Sequence, residues 1–423
     1  MQEVSERWIA TNAAPFTAKS YITIWIRQNI SGGALAIPPE RILSYTQSFT
    51  GDMLAGEIPE IKASVKLNNN DGYYSEAFDN KDEYEHAQAE IWIAFEVGSE
   101  VDPYAPESIN GGTLFISDVS FDARERTATI KFSDILQFLN AEYTGTKDDW
   151  ADEIIPAAIS QAVASKSVPL TTIPYQFDEE LTYFWQLKIP DGLTIAETLQ
   201  VCANACNCVL YVDRDSKIHI EQIDRTPKEY NLSRDVQYVN PSLYKEKSIN
   251  SVLLKYYDTN SQLDSYEYRR EGQIGSQQTV SNPAIQFVFN AMSVARRTYR
   301  VLQENRTVIS GEYRCDPRID IFDCIPIASA VRFITINDLE EMTLNSIEDM
   351  TINEIETGYT DVGTYCMTSL EMTFTGSWHG RFTARAVDER NSTNLATWGD
   401  AKVLTWGQAR NFSWDELKGG IYV

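Results

Sequence analysis

Ile61-Lys62-Ala63-Ser64-Val65-Lys66-Leu67 alternates apolar and polar residues and then stops at Asn68-Asn69-Asn70-Asp71-Gly72. Strict alternation puts every second side chain on one face of an extended chain, so this is a strand with one face buried. The Asn/Asp/Gly run that ends it is turn chemistry, because those residues accept the left-handed backbone or hydrogen-bond their own main chain. The same grammar recurs on both sides. Tyr21 to Ile26 and Ile91 to Val97 read as short apolar strands, the second closed by Gly98. Gly111-Gly112 leads into a strand from Thr113 to Ile116, and Ala128 to Phe132 alternates again. Ser133 to Leu139 reads as a capped helical turn that closes the unit. Several short strands at regular spacing predict a small barrel or sandwich over 1–140.

From 141 to 235 the pattern mixes helix and strand. Thr194-Ile195-Ala196-Glu197 is a capping box, in which Thr and Glu satisfy each other's orphan amides, and it opens a helix to about Cys206. Val209 to Val212, the turn Asp213-Arg214-Asp215-Ser216, and Lys217 to Glu221 predict a β-hairpin. From 236 to 390 strands return: Ser251 to Tyr257, Cys324 to Ile327, Cys366 to Phe374 and Gly380 to Val387. A helical pattern between Ala291 and Leu302 sets Met292, Ala295, Tyr299 and Leu302 on one side.

Two repeat arrays interrupt this plan. Residues 335–358 read TINDLEEM, TLNSIEDM, TINEIETG, and 397–420 read TWGDAKVL, TWGQARNF, SWDELKGG. The octads open with Ser or Thr, and an acidic residue or Gln often follows three positions later, as in a capping box, so each is expected to be a single turn begun afresh. The first array has seven acidic residues and no basic one, which marks a solvated insertion in the third region. The second places Trp398, Trp406 and Trp414 eight apart in a C-terminal segment, 391–423. Regular tryptophans can stack on sugars, but packing on the next repeat or on a neighbouring subunit is the stronger reading, and the three are the candidate partner-docking residues.

With 423 residues the chain has length for two to four domains. Its 36 basic and 61 acidic residues give a formal net charge of −25, which opposes specific nucleic-acid binding and suits either a wall past which a polyanion slides or simple solubility. No span long enough to cross a membrane and no signal-peptide pattern is evident, so neither anchor nor leader is expected. Six cysteines in so long a chain are not a disulfide framework. Cys202, Cys206 and Cys208 lack metal-ligand spacing, and with Cys315 and Cys324 they are expected to be buried free thiols from a reducing cytosol. His86, His219 and His379 sit beside no nucleophile motif, and the acidic residues are too many to select a pair. No catalytic, cofactor or metal residue is assigned, and the chain is expected not to be an enzyme.

The co-linear order of these pieces resembles the tail hub proteins of long-tailed phages, the family of the contractile-phage baseplate hub and the siphophage tail-associated proteins. The resembling stretches are Glu57-Ile58-Pro59, the Leu67 to Gly72 turn and Gly112 to Asp134, then Asp191-Gly192-Leu193-Thr194 with its helix and Cys208, and Val212-Asp213-Arg214-Asp215. They continue in Ile249 to Val252, Asp316-Pro317-Arg318-Ile319 with Asp323, and Phe374 to Ala384. The octad arrays depart from the basic pattern. The resemblance implies an α+β, mainly β fold with two tube-like β-barrel domains, 1–140 and 236–390, separated by a small α/β domain, 141–235. It implies a homotrimeric ring in the virion tail, assembled in the host bacterial cytoplasm, that joins a sixfold tail tube or distal tail protein to a threefold tip, spike or fibre. The ring would line the channel for tape-measure protein and transiting DNA without sequence-specific binding. The alternative is a receptor- or sugar-binding tail tip protein that uses the C-terminal tryptophans. No wall-degrading extension is evident in the sequence.

Overall fold

The alternation around Val65 is realised: Ile61, Ala63, Val65 and Leu67 are buried, and Lys62, Ser64 and Lys66 between them are not. Each apolar side chain fully buried this way contributes about 1.5–3 kcal/mol relative to exposure. The computed structural model describes residues 4–13, 19–98, 102, 105–166, 169–177, 186–230, 232–233, 236–270, 275–332 and 359–387. Both octad arrays, and with them Trp398, Trp406 and Trp414, lie outside the described residues.

The first region has a helix α1 (Glu6–Ala13) and seven strands: β1 (Ser20–Arg27), β2 (Ala34–Ile37), β3 (Ile42–Thr50), β4 (Glu60–Asn68), β5 (Gln88–Glu96), β6 (Pro106–Asp122) and β7 (Thr127–Ser133). Two helical turns, α2 (Tyr73–Ala77) and α3 (Lys81–Tyr84), separate β4 from β5. The turn after β4 forms as expected, with Gly72 in the left-handed region at φ +74°. Gly111 and Gly112 do not precede the strand. They lie within the long strand β6, where the β5 register shifts between Ile91 and Trp92 and Gly112 adopts φ +141°. A Cβ on Gly111 would meet the Ile91 carbonyl oxygen at 3.0 Å, so the close approach of β5 explains the glycine. The closing turn is a 3₁₀ helix, Ile135–Phe138, whose Asp134 side chain accepts from the Leu136 amide at 2.8 Å and from the Ile61 amide at 2.5 Å.

The middle region holds β8 (Asp148–Trp150), α4 (Ala151–Ser165), β9 (Tyr175–Phe177), β10 (Gln186–Lys188), α5 (Ile195–Ala205), β11 (Val209–Val212) and β12 (Ile218–Glu221). The capping box is present at the start of α5: the Glu197 carboxylate accepts from the Thr194 amide at 2.8 Å, and Thr194 Oγ1 accepts from the Glu197 amide at 3.2 Å. The third region adds β13 (Ser242–Lys245), β14 (Ile249–Tyr257), β15 (Leu263–Arg269), β16 (Ser276–Ser281), α6 (Val288–Tyr299), β17 (Thr307–Tyr313), β18 (Cys324–Arg332), β19 (Tyr359–Phe374) and β20 (Trp378–Ala386). The first octad array falls between β18 and β19, whose facing residues run out to Arg332 and Tyr359.

The fold is mainly β. Its centre is one antiparallel sheet of twelve strands in the order β13-β17-β20-β19-β3-β4-β7-β6-β5-β1-β2, with β18 also on β19. The resemblance implies two tube-like barrels, 1–140 and 236–390. Among the described residues the strands of both regions instead share this one sheet, which does not close on itself. The join is β3 with β19, where Ser369 to Phe374 face Thr50 to Tyr45. A separate sheet, β15-β14-β16, packs against α6. Buried apolar residues from Trp8 to Val387 form one continuous cluster, so the regions share a core. No helix among the described residues is long and apolar enough to cross a membrane.

Candidate functional site: a junction of three regions and two open sheet edges

The β11–β12 hairpin has a tight turn in which the Asp213 side chain accepts from the amides of Asp215 and Lys217, both at 2.9 Å. That turn leaves Arg214 projecting away from its own region. Its guanidinium is buried and donates to Asp320 Oδ1 at 2.5 Å, to the Asn110 carbonyl at 3.0 Å and to the Ile319 carbonyl at 2.9 Å. It also lies 5.5 Å from the centre of the Phe49 ring. One middle-region arginine thus binds β3 and β6 of the first region and the 319–320 loop of the third. A planar fork with five donors suits this task, which a lysine could not reproduce.

Other ties reinforce it. Arg297 on α6 is half-buried and donates to the Cys208 carbonyl at 2.9 Å and to the Met53 carbonyl, and desolvation pulls its pKa down to about 10. Gln200 and Asn204 on α5 donate to the carbonyls of Ala55 and Leu54, each at 2.6 Å. Arg318 and Asp316 form a buried ion pair at 2.6 Å, with the Arg318 guanidinium 4.6 Å from the Trp8 ring and 5.2 Å from the Tyr230 ring. A buried pair of this kind is costly to break, because the remaining charge loses its partner. The Val212 to Asp215 and Asp316 to Ile319 motifs singled out in the sequence therefore both lie where regions meet.

Beside this junction is a pocket of about 350 Å³, whose lining includes Phe49, Tyr211, His219, Asp320 and Phe322. His219 Nε2 is 2.9 Å from Asp213 Oδ2 and its Nδ1 is 3.4 Å from Glu221 Oε1. Its ring stacks on Tyr211 at 4.6 Å, and the Tyr211 hydroxyl donates to Glu221. Burial alone would lower the His219 pKa, but the two carboxylates outweigh it and raise it to about 9. A histidine held protonated at neutral pH is a poor general base, so the cluster's evident work is to fix the hairpin.

The other candidates can be placed. All six cysteines are free and buried, and burial pushes the Cys202 thiol up to about 12 and the Cys206 thiol well above its ordinary value. His86 packs on Phe138 at 4.6 Å, and His379 stacks on Tyr238 at 5.1 Å. The structure does not bring the three histidines together. Among the described residues no group of three or more His, Cys, Asp and Glu is placed to hold a metal ion.

The two ends of the large sheet are the second feature. In the pairing of β13 with β17, the Glu246 amide donates to the Arg306 carbonyl across the extension of the ladder at 2.9 Å. Alternation then turns the amides of Leu243 and Lys245 to the outer side. At the other end Gln28 donates to Gly33 at 2.9 Å, which by the same rule turns the amides of Ala34 and Ala36 outward on β2. Among the described residues no strand pairs with the outer side of either edge. Leu243 and Tyr244 are about half exposed there, at 45% and 49%.

No family model matches this sequence, and no curated protein matches it. Solved structures do. A tail protein from Neisseria meningitidis superposes with TM-score 0.53 at 9% identity, covering 87% of this chain and 96% of that one. The 43 kDa tail protein of prophage MuSo2 from Shewanella oneidensis gives 0.51 at 10% identity, over 86% of this chain and 98% of its own. The prophage tail protein gp18 from Listeria monocytogenes gives 0.50 at 9% identity, over 91% and 100%. Along most of its length, this chain has the fold of these phage tail proteins.

Proposed function

We propose that this chain is a structural protein of a phage tail and acts as its hub. Three copies close a ring that joins the sixfold tail tube to a threefold tip or spike and lines the channel for tape-measure protein or DNA. The observation that carries the reading is the likeness in fold to three tail proteins over nearly the whole of each. The two sheet edges that no described strand covers support it, since a subunit with such an edge at each end can join copies of itself head to tail, and such joining ends in a ring when the rotation closes. The net charge of −25 suits a channel wall that does not retain a polyanion.

In this reading 1–140 and 236–390 each supply one tube-like unit, 141–235 braces them, and 391–423 docks on a neighbouring tail component through Trp398, Trp406 and Trp414. The role is structural rather than catalytic, and the protein resides in the virion tail after assembly in the host cytoplasm. Native mass spectrometry of the purified chain, followed by imaging down the particle axis, tests it. The expected species has three chains of 48.0 kDa each, with threefold density around an axial channel. A stable monomer at tail-assembly concentrations, or release of soluble wall fragments by the pure protein, would overturn it.

A further inference from the structure

Cys324 opens β18 and Cys366 lies on β19, and the two face each other directly across the ladder. Antiparallel partners alternate between pairs that exchange main-chain hydrogen bonds and pairs that do not, and the non-bonded pairs bring their side chains closer. The main-chain bonds show which kind this is. The Cys324 carbonyl accepts from the Lys228 amide at 2.8 Å, on the side away from β19, while the Met367 amide donates to the preceding carbonyl, Asp323, at 3.0 Å. Two residues on, Pro326 repeats the arrangement: its carbonyl accepts from the Leu232 amide at 2.9 Å. Cys324 and Cys366 therefore occupy a non-hydrogen-bonded pair. Such a pair holds its Cα atoms about 4.5 Å apart, inside the range of roughly 4.4–6.8 Å that a disulfide spans.

The sulfurs point to the same place. Cys366 Sγ is 3.4 Å from the Phe322 carbonyl oxygen and Cys324 Sγ is 4.0 Å from the same atom. Contact between the two sulfurs holds the Cys324 thiol below its ordinary pKa and, with burial, the Cys366 thiol well above its own, so Cys324 is the one that attacks first. Both residues are fully buried, and their neighbours Phe322 and Asp323 line the pocket beside the junction.

We propose that Cys324 and Cys366 are a redox pair that closes into a reversible cross-strand disulfide on exposure to a small-molecule disulfide such as oxidised glutathione. The Cys324 thiolate attacks one sulfur of the oxidant and expels the other as a thiolate, which leaves a mixed disulfide on the protein. The Cys366 thiolate then attacks the Cys324 sulfur and expels the second small thiolate. The protein loses two protons and two electrons, and the oxidant is reduced to two thiols. Neither cysteine lines that pocket, so reaction with the oxidant requires local opening of the strand pair. The product ties β18 to β19 at the base of the hairpin that carries the 335–358 octads, on the same strand that joins the first region through β3. This proposal does not depend on the tail function.

The test uses the full chain, reduced and then incubated with millimolar oxidised glutathione. Free thiols are counted by alkylation after denaturation, and the digest is mapped by mass spectrometry. The expected result is a fall from six free thiols to four, one peptide pair joining Cys324 to Cys366, reversal by dithiothreitol, and a rise in melting temperature of about 5 °C in the oxidised form. The thiol count of the Cys324→Ser variant should not change on oxidation. Six alkylatable thiols in treated wild type, a bond between any other pair, or a bond between chains would overturn the proposal. If Cys324→Ser does not fold, the wild-type map decides alone.

Discussion

Arg214 shows how much of this molecule rests on single residues. Its buried guanidinium satisfies the Asn110 and Ile319 carbonyls and the Asp320 carboxylate, acceptors from two distant parts of the chain. Replacing it with Met keeps much of the volume but leaves those acceptors without their donor, so Arg214→Met should lower the unfolding free energy by about 3 kcal/mol in denaturant titrations. A change below about 1 kcal/mol would mean that the arginine does not hold the regions together. The hairpin that carries Arg214 was legible in the sequence, since Asp213 to Ser216 is turn chemistry between two apolar runs. Its burial was not, because an arginine in a polar turn reads as solvent-facing and its partners lie about a hundred residues away in either direction. His219 is a similar case. Its pKa is near 9 in the folded chain against 6.5 for the free side chain, so the stabilisation is fully present below pH 6.5 and is lost as pH rises through about 9. Wild type should therefore exceed His219→Gln by about 2 kcal/mol at pH 6 in urea melts, and the gap should close by pH 10. A constant gap would show that the histidine's charge is not what matters.

At the scale of elements, local chemistry settled what could be settled locally. The strands around Ile24, Val65, Ile93 and Ile130, the Asp134 turn, the α5 capping box and the β11–β12 hairpin all form where period and capping residues place them. The cap can be weighed directly. Thr194→Ala removes the acceptor for the Glu197 amide and should cost about 1 kcal/mol, read as a shift of the denaturation midpoint with unchanged slope. No shift would mean that water or Glu197 alone satisfies the helix start. What was missed has a different cause. α4 carries Pro156, which reads as a helix breaker although Ile154, Ile155, Ala158, Ile159 and Ala162 bury one face of the helix. The Gly111-Gly112 pair reads as the lead-in to a strand from Thr113 yet lies inside β6, because a strand that bends around its neighbour uses glycine at the bulge.

At the scale of the whole chain the decisive contact is β3 with β19, more than 300 residues apart in sequence, and alternation alone cannot name a strand's distant partner. The resemblance implies two tube-like barrels, 1–140 and 236–390, whereas the strands of both regions share one sheet whose end strands, among the described residues, have an unpaired outer side. Those ends also bear the burden of the proposed assembly, which makes the outer amides of β13 the place to test it. Leu243 presents its amide outward and its side chain is half exposed, so Leu243→Pro removes a donor that the chain's own ladder with β17 does not use. Proline is tolerated on a sheet edge for that reason, and it blocks any further strand from pairing there. The variant should keep the wild-type circular dichroism spectrum and melt within a few degrees of it, yet sediment as a monomer where, on the proposed assembly, the wild type forms a ring. The matching change on the other edge, Ala36→Pro, should give the same result, because head-to-tail joining needs both partners. If both proline variants assemble as the wild type does, the copies meet through other surfaces and the edges are not the joints of the ring.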